Sequence, residues 1–92
     1  MIRINVFIQV NDDIHRESVL KAATKLTIHS LKEEGCVAYD TFESSTRKNV
    51  LMICETWKDI TSLTAHEKTV HFTTLVEEMQ KLATLKVEKF EF

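Results

Sequence analysis

The chain has 92 residues, 43% hydrophobic and 28% charged, with a formal net charge of −2. That length suits one domain, 1–92, around a single core, and the faintly acidic balance excludes the basic footprint of a nucleic-acid binder or of a protein held on anionic membranes. Zero prolines, one glycine and two cysteines leave no linker, no Gly-rich phosphate loop and no disulfide framework.

In chain order, residues 2–10 alternate. Ile2, Ile4, Val6, Ile8 and Val10 share one face, Arg3, Asn5, Phe7 and Gln9 the other, which predicts a strand. Asn11-Asp12-Asp13 supplies capping oxygens for a helix. Its stripe of Val19, Leu20, Ala23, Leu26, Ser30 and Leu31 runs to about Glu34, with Gly35 as its left-handed C-cap. Residues 36–43 read as a second strand, 44–49 as a polar hairpin turn, and 50–57 as a nearly continuous apolar strand covered on both sides. Asp59 caps a short helix to about His66. After a break near Lys68–Thr69, a longer helix carries Phe72, Leu75, Val76, Met79, Leu82 and Ala83. Residues 85–92 close the chain as a strand with Phe90 and Phe92 on one face, Leu85 and Val87 on the other.

The order β-α-β-β-α-β is the ferredoxin-like α+β arrangement, an antiparallel sheet with helices on one face. Both sheet faces carry apolar side chains, each contributing roughly 1.5–3 kcal/mol when buried. The second face is therefore expected to meet a second copy of the chain in a homodimer. No apolar run nears the roughly 20 residues of a transmembrane helix. The alternating N-terminus lacks a signal-peptide core, and a cytoplasmic protein with no membrane partner is expected. In the 36–43/50–57 hairpin, Cys36 faces about residue 57 and Cys54 about residue 39, too far apart to bridge.

The chemistry-bearing residues gather around 55–72. His66 and His71 are five apart, which on a continuous helix separates the side chains by about 140°. With no third ligand in reach, no metal site is expected, although the break at Lys68–Thr69 could re-aim His71. Trp57 reads as a core lid or a site residue. Asn5, an amide within a strand, needs a partner, because an unpaired buried amide costs roughly 1–3 kcal/mol. Glu55 would have a perturbed pKa if buried. Tyr39 is a core residue with a wet tip or a ligand donor. The expected site is an apolar cleft between sheet and helices, trimmed by Asn5, Tyr39, Trp57, His66 and His71 and suited to a small flat ligand.

Glu33-Glu34-Gly35-Cys36-Val37-Ala38-Tyr39, Glu55-Thr56-Trp57-Lys58, Leu63-Thr64-Ala65-His66 and Val70-His71-Phe72 resemble, in order, the antibiotic biosynthesis monooxygenase domain. One departure is Val70, where that family often has proline. The resemblance implies a dimeric α+β barrel and a pocket between sheet and helices. There, a quinol-like or polyphenolic substrate would be oxidised by O₂ with no metal, flavin or haem cofactor. In that scheme Asn5 and Trp57 would donate hydrogen bonds to substrate or peroxy oxygens, and His66 or His71 would serve as acid or base. Phe7, Tyr39, Glu55 and Phe72 would line the substrate site. Haem-degrading relatives carry a proximal histidine where this chain aligns Val76, which counts against haem. A relative that isomerises a phosphorylated autoinducer-2 sugar shares the Glu-Glu-Gly and His-x-x-x-x-His pieces and supplies the alternative. A non-catalytic small-molecule binder is a third reading.

Overall fold

The computed structural model describes residues 1–92. It contains β1 (Ile2–Val10), a 3₁₀ turn (Asp13–His15), α1 (Arg16–Ser30), β2 (Cys36–Glu43), β3 (Val50–Trp57), α2 (Ile60–Glu67), α3 (Val70–Leu82) and β4 (Ala83–Glu91). All strand pairings are antiparallel, in the order β2-β3-β1-β4. This is the ferredoxin-like α+β fold, with the second helical segment split into α2 and α3.

Local chemistry sets the element starts. The Asp12 side chain accepts from the Ile14 N–H, Asp59 from Ser62 N–H and Thr69 from Phe72 N–H, each satisfying a donor that the first helical turn leaves free. One face of the sheet carries Ile2, Ile4, Ile8 and Val10 of β1 and Leu51, Ile53 and Trp57 of β3. It packs against Val19, Ala22, Ala23 and Leu26 of α1, Leu63 of α2 and Leu75 and Met79 of α3. The Thr27 and Thr41 hydroxyls, 2.8 Å apart, tie α1 to β2.

Several expectations are corrected. α1 stops at Ser30, not near Glu34, and Leu31 is exposed. The Lys32 and Glu33 N–H groups bond to His29 and Ser30 carbonyls in tight turns, and Gly35 is not the C-cap but the end of that turn, at φ +86°. β4 begins at Ala83, which the sequence placed in the preceding helix. Within one chain the helices cover one side of β3: Leu51, Ile53, Glu55 and Trp57 are buried there, while Val50, Met52 and Cys54 are half-exposed on the other face. Cys36 pairs across from Trp57 and Cys54 from Asp40, and both thiols are free.

Candidate active site

Period-two alternation puts Glu55 and Trp57 on the helix-covered face of β3, opposite Ile4 and Ile2 of β1. Tyr39 joins them from β2, paired with Glu55. His66 lies in the last turn of α2. The break that Thr69 caps changes the helix axis before His71, so the second imidazole turns back toward the first instead of 140° away, as a continuous helix would place it.

A carboxylate joins the two rings. Glu33, in the turn after α1, places Oε2 2.7 Å from His66 Nδ1 and 2.8 Å from His71 Nε2. The opposite side of the His66 ring, Nε2, is buried without a hydrogen-bond partner and lies 3.8 Å from Glu55 Oε1. That oxygen accepts a 2.8 Å hydrogen bond from the Trp57 indole N–H. Trp57 and His66 are fully buried, and their ring centroids are 4.4 Å apart. Phe72 and Tyr39 pack edge-on at 5.0 and 5.8 Å from His66. His29 of α1 stacks on His71 at 5.4 Å with 18° between the planes.

Burial sets the charges. It pushes the Glu55 carboxyl up to about 7, against the Trp57 hydrogen bond that favours the anion. Burial also holds the His66 imidazole below its usual range despite the Glu33 carboxylate. Tyr39 is raised by burial and by the charge of Glu55, and Cys36 by burial to about 11, which makes it a poor nucleophile. Near neutral pH the cluster therefore holds a neutral buried imidazole between two carboxyl groups.

Of the sequence-predicted residues, the structure brings together Tyr39, Glu55, Trp57, His66, His71 and Phe72. It separates Asn5 and Phe7 from them. Asn5 pairs with Cys54 and Phe7 with Met52, so alternation turns both to the open face, where the Asn5 amide donates to Glu88 Oε1 at 3.4 Å. Asn5 and Trp57 therefore face opposite sides of the sheet, and the single cleft expected to hold them does not exist. Aromatic rings pack in the space expected for it. The five main cavities, of about 260–460 Å³, lie elsewhere, the largest beside Phe7 and Val50 on the open face. The site meets solvent at one edge, where the Glu33 and His71 side chains are 15% and 22% exposed.

The residue sequence reasoning missed is Glu33. The signal was available in the Glu33-Glu34-Gly35 run, but a helix extended to Glu34 would have placed it on a solvated surface. The statement that no third ligand lies within reach of the histidines is likewise overturned by Glu33, whose Oε2 lies 2.7 and 2.8 Å from the two ring nitrogens.

Fold and cluster together define a ferredoxin-like domain with a carboxylate-bridged histidine pair at one end of the sheet. The family model for antibiotic biosynthesis monooxygenase matches residues 1–78, and the chain belongs to that family. It is 33% identical over 88 residues to "Putative monooxygenase YcnE" of Bacillus subtilis (strain 168), covering 96% of this chain and 92% of that one. It is similar to a conserved protein of unknown function from Bacteroides thetaiotaomicron VPI-5482, described as "Possible Oxidoreductase". That match has 60% identity and TM-score 0.95 over 99% of this chain and 96% of the other. A crystal structure of an antibiotic biosynthesis monooxygenase shares the fold at TM-score 0.91 and 23% identity, over 100% and 98% of the two chains.

Proposed function

We propose that this protein is a monooxygenase that needs no metal, flavin or haem, and that it oxidises a small quinol-like or polyphenolic substrate with O₂ in the cytoplasm. Family membership supports monooxygenase chemistry. The observation that carries the finer reading is the Glu33-bridged pair His66–His71, a base within reach of solvent backed by a half-buried carboxylate. Substrate meets the site at the His71–Glu33 edge and displaces part of the aromatic stack. His71 takes the phenolic proton, Glu33 stabilises the imidazolium that forms, and Trp57, Tyr39 and Phe72 exclude water. The phenolate then reduces O₂ directly. One oxygen atom bonds to the ring carbon, the other leaves as water with two protons, and the ring, losing four electrons, becomes a quinone. The substrate is thus its own reductant.

O₂ uptake by chelator-treated protein with a panel of dihydroxy-aromatics tests this. Turnover is expected and should fall about 100-fold or more in His71→Ala, the usual size of a lost general base. No uptake with any of these compounds sinks the reading, and isomerisation of a phosphorylated autoinducer-2-type sugar by the same sample would put the isomerase in its place.

A further inference from the structure

We propose that Glu33 Oε2, His66 Nδ1 and His71 Nε2 form a binding site for a divalent first-row transition ion, and that the bound ion switches the protein off. The three ligand atoms come from three separate elements and lie within 4.8 Å of one another. Two imidazoles and one carboxylate are a donor set that suits zinc, iron(II) or cobalt(II) and leaves coordination positions open. As they stand, the atoms are hydrogen-bonded at 2.7 and 2.8 Å. Both ring nitrogens aim at Glu33 Oε2, so an ion about 2.0–2.1 Å from each stands close to where that oxygen now lies, and Glu33 must withdraw by more than about an ångström to become the third ligand. Glu33 sits in a turn at the solvent edge, its side chain 15% exposed.

The unpartnered nitrogen of His66 is the second observation. With the proton on Nδ1, facing Glu33, the buried Nε2 has nothing to bond, although Glu55 Oε1 waits 3.8 Å away. An ion on Nδ1 moves the proton to Nε2, where Glu55 accepts it. The outcome is a carboxylate–histidine–metal relay, with Glu55 itself held by the Trp57 indole. Charge points the same way, since Glu33 and Glu55 pair with no lysine or arginine, only with histidine. An ion of charge +2 offsets the carboxylate charge gathered there. The stacked His29 ring fixes the plane of His71, and the solvent edge leaves space for water on the ion.

Coordination at His71 Nε2, which faces Glu33, moves that ring's proton to Nδ1, the nitrogen the proposed reaction needs free, so the ion inhibits turnover. That consequence rests on the monooxygenase reading; binding does not. The test is titration of the chelator-stripped full chain with Co²⁺, read by ligand-field absorption, and with Zn²⁺ by calorimetry. One ion per chain at micromolar affinity is expected. It should weaken at least about tenfold in His71→Ala and in Glu33→Gln, and measurably in Glu55→Gln, the effect of losing an outer-shell partner. Thermal melts of each variant verify folding, and His71→Ala, altered at a solvent-exposed edge, serves if Glu33→Gln unfolds. Absence of saturable binding below 1 mM, or wild-type affinity in His71→Ala, overturns the site. Binding without zinc inhibition of an otherwise active enzyme overturns only the switch.

Discussion

Glu55 is a deeply buried carboxyl group that still titrates near neutrality. Its carboxyl ionises at about 7 in the folded protein against an ordinary value of 4.5, so between those values the folded chain binds more protons than the unfolded one. Stability therefore falls as pH rises through that window and stays lower above it, by on the order of 3 kcal/mol at most. His66 acts with the opposite sign. Its depressed folded pKa makes stability rise with pH up to 6.5 and masks part of the loss there. Between about pH 6.5 and 7, where the rise from His66 tapers off, the Glu55 loss dominates and the melting temperature should drop, levelling off above that window. Glu55→Gln keeps an acceptor for the Trp57 indole and should flatten that drop; an unchanged slope would show that Glu55 is not the titrating group. Glu33→Ala should cost about 1–3 kcal/mol in a chemical melt, because it strands the buried Nδ1–H of His66.

At the scale of elements, the site depends on where helices stop. α1 ends early enough for the 31–35 turn to swing Glu33 inward, and Thr69 separates α2 from α3 so that His71 returns toward His66. Gly35 makes the first of these work. Its φ is +86°, and a Cβ there would lie 2.0 Å from Ser62 Oγ and 2.4 Å from Ser62 Cβ, while its carbonyl accepts from the Lys58 N–H. Gly35→Ala should lower stability by at least about 1–3 kcal/mol, the usual cost of such backbone strain. Adding Ser62→Gly should recover the steric part alone, since the dihedral penalty persists. Full recovery, seen as a wild-type melting temperature, would mean that φ at Gly35 is not under strain.

At the scale of the whole molecule, the open sheet face is the unfinished part. Phe7, Phe42 and Phe90 stand 41%, 49% and 50% exposed there, beside half-exposed Val50, Met52 and Cys54. A patch of this kind on an antiparallel sheet calls for a cover, and the homodimer expected from the sequence supplies one, with a second sheet packed face to face. Sedimentation at micromolar concentration should give twice the mass of one chain. Phe7→Glu with Phe42→Glu should halve it while leaving the helical circular dichroism intact. A wild-type chain that sediments as a monomer ends this reading. Asn5 lies on the same face and would be an interface residue, not a partner of Trp57.

The sequence by itself determined the strands, the element order and the helix starts at Asn11–Asp13 and Asp59, because period-two and period-three-to-four patterning and capping side chains act over a few neighbouring residues; it misplaced the end of α1 and did not show Thr69 as a cap. It also determined that Glu55, Trp57, His66 and His71 crowd one stretch of chain. Only the tertiary structure decided which face Asn5 and Phe7 turn to, since both faces of β1 and β3 carry apolar side chains and alternation does not say which face the helices cover. Only it brought Glu33 between the histidines, across more than thirty residues. Hydrogen bonds that close such long loops follow from the packing of α1, α2 and α3 onto one sheet face, which no local pattern encodes.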